Sequence, residues 1–234
     1  MSDKARILVW DIETRGLVAD YGSILCIGWQ WAGEKQVHVK SIHDVPGKHP
    51  LDDGPLVKWF IKNVWEKADM EVGWYNSRHD VPFLRTRALL KGQPPPKEVT
   101  SIDMWAKSKF RFKFSNNKLM TYARHLHTHK QKYWTPSDDF EKVLYGDTAA
   151  MKRIVKHCRH DVEMSNELYE RLKPWWRNHP RVRYAGVCCR SCGSQKLQRR
   201  GKAFTAHKNP QQRLHCQNCG HWMQVSMKEA EEVL

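Results

Sequence analysis

The stretch VWDIETRGL, residues 9–17, reads as an apolar strand that should be buried, yet it carries Asp11 and Glu13. In a strand, residues i and i+2 point to the same face, so both carboxylates project together. Two like charges held close in a partly buried place cost free energy unless a cation neutralises them. Either Arg or Lys partners meet them, or they hold a metal ion.

Outward from it, RILVWDI (6–12), SILCIGWQW (23–31) and KQVHVKSI (35–42) read as three successive strands, separated by the Gly-containing turns VADYGS and WAGEK. PLVKWFIKNVWEKA (55–68) starts on Pro and spaces Leu56, Trp59, Phe60 and Val64 as one face of a helix. MEVGW (70–74) is a short strand, DVPFLRTRALL (80–90) a helix, and GQPPPKE breaks the chain after it. SIDMW (101–105) reads as a strand and NKLMTYARHL (117–126) as a helix. The longest periodic stretch, residues 147–176, opens on an Asp-Thr cap and stops at Pro174. Three strands, then alternating helix and strand, predict an α/β fold with a mixed sheet flanked by helices. RNHPRVRYAG (177–186) reads as a linker, which divides the chain into domains at 1–182 and 183–234.

The 234 residues hold 40 Lys+Arg against 25 Asp+Glu, a net charge of +15. That excess suits a polyanion such as nucleic acid or an anionic membrane surface, although a basic soluble protein with neither partner has the same balance. The sequence contains no run of 18 apolar residues, and MSDKARILVWD lacks a signal-peptide pattern. The expectation is a cytoplasmic protein in a reducing compartment with no membrane role. Cysteine usage agrees, because five of the seven cysteines lie between 188 and 219 in a metal-like spacing.

Further carboxylates stand with the opening pair. GWYNSRHDVPFL (73–84) puts Asp80 at a helix start, and VKHCRHDVEMSNELYERL (155–172) puts His157 and Asp161 four apart, on one helix face. Singly, Asp80 is also a good helix cap and Asp161 a plausible surface acid. In order, DIET, YNSRHDVPFL and HCRHDVEMSNELYERL resemble the three exonuclease motifs of the DEDD superfamily. They are similar to the 3′–5′ exonuclease domains of family B DNA polymerases and to their stand-alone, often virus-encoded relatives. The resemblance covers about residues 6–175 and implies an RNase H-like fold with metal-binding carboxylates at the edge of its sheet.

Carried over motif by motif, the resemblance implies that Asp11 bridges two Mg²⁺ or Mn²⁺ ions, with Glu13 and Asp161 on the ion that activates water. Asp80 would act mainly through metal-bound water. Hard divalent ions prefer oxygen ligands, and two of them about 4 Å apart stabilise the attacking and leaving oxygens of an in-line displacement. Two positions depart from the pattern. His157 stands where the Tyr-x-x-x-Asp branch has Tyr, and the His-bearing branch has one more intervening residue. It either takes a proton from the attacking water, orients that water, or merely replaces the Tyr. His79 stands where an aromatic residue commonly precedes the second-motif Asp. Asn76 either touches the terminal nucleotide or caps the following helix.

Cys189-x-x-Cys192-Gly and Cys216-x-x-Cys219-Gly are paired knuckles. Each CxxC lets two thiolates approach one ion, and four thiolates make a closed structural Zn²⁺ site. Cys26 and Cys158 read as core thiols. From residue 181 onward ten Lys+Arg face three acids. Arg199, Arg200, Lys202, Phe204 and Lys208 would offer cations for phosphate and a ring for base stacking. A solubilising face or a protein-docking ribbon would look alike. RFKFSNNK (111–118) suits either a single-strand track or a plain edge strand, and the histidines of HLHTHK (125–130) read as an exposed cluster.

The sequence therefore points to a 3′–5′ exonuclease with two Mg²⁺ or Mn²⁺ ions and one structural Zn²⁺. Its partner would be nucleic acid with a single-stranded or frayed 3′ end, DNA in preference to RNA. A polymerase or another replication or repair protein is a candidate protein partner. A structure-selective endonuclease and a non-catalytic nucleic-acid-binding adaptor are the alternatives.

Overall fold

The computed structural model describes residues 5–129, 133–176, 179, 187–189, 194–205 and 209–231. The chain divides into two compact units, Arg6–Leu172 and Lys173–Leu234 with Met1–Ala5.

The larger unit is a five-stranded sheet in the order β3-β2-β1-β4-β5. Its strands are β1 (Ile7–Arg15), β2 (Ser23–Trp31), β3 (His38–Ser41), β4 (Met70–Gly73) and β5 (Thr100–Asp103). β2 is antiparallel to both β1 and β3, while β4 and β5 run parallel to β1. Eight of the nine residues of β2 are buried, because helices cover both faces of the sheet. On one face Trp10 stacks on Phe60 of α1 (Gly54–Asn63) at 5.5 Å and meets Trp65 edge-on at 5.3 Å. Beside α1 lies α2 (Asp80–Leu90). A buried ion pair joins the two: Arg87 of α2 donates two hydrogen bonds, 2.7 and 2.8 Å, to Asp53, the residue before α1.

α3 (Met104–Ser108) and α4 (Leu119–His125) follow β5. The expected strand SIDMW ends early, because the carboxylate of Asp103 caps α3 by accepting from the Ala106 N–H at 3.0 Å. RFKFSNNK does not form a strand. Phe112 and Phe114 turn inward onto Tyr122, with ring centroids 6.3 and 4.4 Å away, which leaves Arg111 and Lys113 exposed. His125, His127 and His129 are all exposed, as their spacing predicts.

After the short α5 (Asp139–Lys142) comes α6 (Thr148–Leu172), which packs on the second face of the sheet. Asp147 caps it through the Ala149 and Ala150 N–H groups, and a 3₁₀ turn holding Pro174 ends it. Its buried residues, among them Ile154, Cys158, Asp161, Val162, Ser165 and Leu168, recur every three or four positions. Gly28 of β2 permits this contact: a Cβ there would lie 2.7 Å from Cys158 Sγ and 2.9 Å from Val162 Cγ2.

The smaller unit is an antiparallel sheet of β6 (Leu197–Phe204), β7 (Pro210–Cys216) and β8 (Trp222–Ser226), followed by α7 (Met227–Glu231). Leu214, Met223, Val225 and Ala230 form its buried apolar cluster, with Val187 and Leu197 packed against them. Among the described residues no helix is long and apolar enough to cross a membrane.

Candidate active site

The opening carboxylates sit in the middle and second half of β1, where the strand is still paired on β2: Asp11 opposite Gly28 and Glu13 opposite Cys26. The register slips immediately after Glu13, so that Thr14 faces Ile24. Such a bulge re-aims the chain next to a site. Both carboxylates lie on the face covered by α6, whose Cys158 thiol approaches the Asp11 carbonyl at 3.8 Å.

The fold brings three other groups to this point. Asp80, at the first position of α2, accepts a hydrogen bond from the Ile12 N–H at 3.2 Å, which ties α2 to the gap between the paired carboxylates. Four residues apart on α6, His157 and Asp161 face β1. His157 Nε2 lies 3.5 Å from Glu13 Oε1 and 3.7 Å from Asp161 Oδ2. On the other side of the ring, Nδ1 is 2.5 Å from the carbonyl oxygen of Tyr133. A carbonyl only accepts, so Nδ1 carries the proton, and in the neutral ring Nε2 presents its lone pair to the carboxylates.

The electrostatics are those of a crowded, part-buried anionic cleft. Burial pushes the Asp11 carboxyl well above the usual carboxylate range, and Asp80, Glu13 and Asp161 push it further. Burial likewise raises Asp80 to about 7, although the Ile12 N–H opposes the shift. Asp80, Glu13 and Asp161 all act electrostatically on Asp11, an oxygen-rich set of the kind that hard divalent ions take. The donor set fits a hard divalent ion. Cys158 is also within reach of Asp11 and Glu13, their donor atoms lying within 4.8 Å of one another. Its thiol is held protonated by contact with Cys26 and by burial, so it serves as packing rather than as a soft ligand.

Asn76 is placed elsewhere. It is fully buried, and its amide donates to both oxygens of the buried Glu71, at 2.9 and 2.7 Å. Trp10 donates to the same carboxylate at 2.6 Å. No side-chain hydrogen bond caps α2, so Asn76 does not cap it; a buried carboxylate needs donors, and both Asn76 amide hydrogens serve Glu71. His79 packs on Phe83 at 5.5 Å, and burial lowers its pKa. Asp103 is structural, since besides capping α3 it accepts from the Tyr75 N–H and the Ser77 hydroxyl. Sequence reasoning missed Tyr133, which contributes through a backbone carbonyl and has no residue-type signal.

In the smaller unit Cys189, Cys216 and Cys219 bring their sulfur atoms within 4.8 Å of one another, Cys189 and Cys219 being 3.5 Å apart. Tetrahedral thiolates on zinc lie about 3.8 Å apart for Zn–S bonds of ~2.3 Å, so the three sulfurs fit that ion. The second knuckle closes through the Gly220 N–H on the Cys216 carbonyl, with Gly220 at a left-handed φ of 73°. Cys192 and Lys208 lie outside the described residues. Arg200, Lys202 and Phe204 are exposed, Phe204 to 67%. The Arg199 guanidinium donates to the Ala230 carbonyl and fastens β6 to α7.

The strand order, with β2 antiparallel to β1 and with β4 and β5 parallel to it, defines an RNase H-like α/β fold. The chain belongs to the RNase H superfamily, whose model matches residues 8–173. Among solved structures its fold is similar to the family B DNA polymerase of the hyperthermophilic archaeon Pyrobaculum calidifontis, with a TM-score of 0.59 and 19% identity. The likeness covers 74% of this chain but 25% of the polymerase, so the chain spans only about a quarter of that protein's length. No curated protein matches it significantly in sequence.

Proposed function

We propose that this chain is a metal-dependent 3′–5′ exonuclease acting on single-stranded or frayed ends, DNA in preference to RNA. The observation that carries the proposal is the approach of Asp80 from α2 and Asp161 from α6 to the Asp11–Glu13 pair of β1. RNase H superfamily membership supports nuclease chemistry at that point. The carboxylates would hold Mg²⁺ or Mn²⁺, which supply Lewis-acid stabilisation of the attacking and leaving oxygens.

The residues themselves do the rest. Asp11 and Glu13, rigid on a paired strand, fix the site against the sheet, and α2 and α6 close it from either side. His157 receives the proton of the attacking water at Nε2 while Nδ1–H stays on the Tyr133 carbonyl. The water oxygen bonds to phosphorus as the bond to the 3′-oxygen of the preceding nucleotide breaks; that oxygen takes a proton from solvent to become the new 3′-hydroxyl, and a nucleoside 5′-monophosphate leaves. We assign the smaller unit, from about residue 183, as a ribbon held by one Zn²⁺ on Cys189, Cys192, Cys216 and Cys219.

The test uses end-labelled single strands of DNA and RNA with Mg²⁺ or Mn²⁺. A ladder shortening from the 3′ end, abolished by Asp11→Ala, is the expected result. Cutting of circular single strands would make the enzyme an endonuclease instead, and strands bound but left intact under both metals would overturn the nuclease reading.

A further inference from the structure

Arg199 and Lys202 do not share the most distinctive surface of the smaller unit. In the β6–β7–β8 sheet, Arg199 pairs with Leu214, Lys202 with Gln212 and Phe204 with Pro210, all on the side of the buried cluster. The other face is built from the alternate residues. There His215 pairs with Trp222 across β7 and β8, Arg213 pairs with Gln224, and Gln198 of β6 stands opposite His215.

This face is an organised aromatic surface open to solvent. Trp222 is 48% exposed. The His215 ring lies 4.6 Å from it at 36°, and the Arg213 guanidinium sits over it at 5.1 Å. The Gln217 amide donates both to His215 Nδ1 and to Gln198 Oε1, each at 3.0 Å, which fixes the imidazole against the indole. A half-exposed Trp held by a cation and a clamped His adds little to folding, since the core lies on the opposite face. The paired residues on this face include no carboxylate, and from residue 181 onward ten Lys+Arg stand against three acids.

We propose that this face is a binding platform for single-stranded nucleic acid, with unpaired bases stacking on Trp222 and His215 and a phosphate on Arg213. Every base has a π-face, so stacking tolerates any sequence, while the guanidinium and the unit's positive balance attract the backbone. Gln198 and Gln224 stand on the same face by register. Duplex DNA keeps its bases stacked inside, so the platform selects unpaired strands. The inference rests on the reading of the chain as a nucleic-acid enzyme, and it assigns the smaller unit the task of holding the strand.

The test measures anisotropy of a labelled 20-nucleotide strand, as DNA and as RNA, with the full-length chain carrying Asp11→Ala so that the probe stays intact. Trp222→Ala weakens binding about tenfold, the scale of one lost base stack. Trp222→Phe retains the parent affinity and shows that the platform, not the fold, was altered. Arg213→Gln flattens the salt dependence by roughly 0.7 in log–log slope, one phosphate contact on a single strand. Equal binding of parent and Trp222→Ala for both sugars would overturn the proposal, and so would equally tight, Trp222-dependent binding of a blunt duplex. Cleavage by the wild-type chain is read separately: cleavage with undiminished Trp222→Ala binding sinks the platform alone, and Trp222-dependent binding without cleavage sinks the nuclease alone.

Discussion

His157 holds the carbonyl oxygen of Tyr133 at 2.5 Å with one ring nitrogen and turns the other toward Glu13 and Asp161, at 3.5 and 3.7 Å. The hydrogen bond sets the tautomer, and the tautomer sets which nitrogen receives a proton. Nε2 is thus the nitrogen placed to exchange a proton with a water held beside Glu13 and Asp161. His157→Asn is therefore expected to lower turnover by about 10²-fold, at the low end of general-base contributions, with little change in KM. Tyr133→Phe keeps the carbonyl and leaves turnover at the parent level. Single-turnover rates with saturating strand measure both.

Asp80 makes the site's stability depend on pH. Its carboxyl titrates near 7 in the folded chain against an ordinary value of 3.8, so the folded state binds the proton more tightly. The stabilisation from that proton is complete below about 4 and disappears as pH rises through about 7. The metal-free protein should therefore melt at a lower temperature at pH 8 than at pH 5. Added Mg²⁺ should raise the melting temperature far more at pH 8, where the ion meets an ionised carboxylate. Asp80→Asn removes the charge, so it should raise the metal-free melting temperature at pH 8 and shrink the Mg²⁺ increment. Calorimetry at the two pH values checks all three.

What was legible in the sequence follows from what sequence encodes. β1 and β2 were readable because burial on both faces imposes continuous apolar runs, and α6 because a long helix on a sheet repeats its apolar residues every three or four positions. The carboxylates were legible because two charges on an apolar strand have few structural uses. Asn76 was misread because the same Asn-to-Asp spacing serves a cap or a ligand, and only the fold reveals the buried Glu71 that takes its amide. α3 was merged into SIDMW because Asp103 ends a strand and caps a helix at one residue. The Trp222 face was hidden for another reason: its members lie on different strands, and register alone brings them together.

Gly28 couples the sheet to the helix that carries His157 and Asp161. A methyl group at this position would meet Cys158 Sγ at 2.7 Å and Val162 Cγ2 at 2.9 Å, closer than packed carbon and sulfur tolerate. Gly28→Ala should push α6 outward, cost on the order of 1–3 kcal/mol of stability, and lower turnover by moving Asp161 from Asp11. Adding Cys158→Ala removes the nearer obstacle and should recover part of both losses. A Gly28→Ala chain as stable and as active as the parent would mean that α6 is free to shift without consequence for the site.

Among the described residues of the smaller unit, the buried apolar cluster is small. Four side chains, Leu214, Met223, Val225 and Ala230, are buried together, whereas units of this size ordinarily need a staple. Three converging thiols supply one if a metal joins them. The purified chain should carry about one zinc ion, because a closed tetrathiolate site binds a single tetrahedral ion. Cys216→Ser should lose it and, with it, the folding free energy that such sites contribute. The loss should be confined to the ribbon: the Arg6–Leu172 unit keeps its own core, and its melting transition should persist in Cys216→Ser. Elemental analysis with two-transition calorimetry distinguishes this from global unfolding. A zinc-free chain whose ribbon melts cooperatively would show that the cysteines stabilise it some other way.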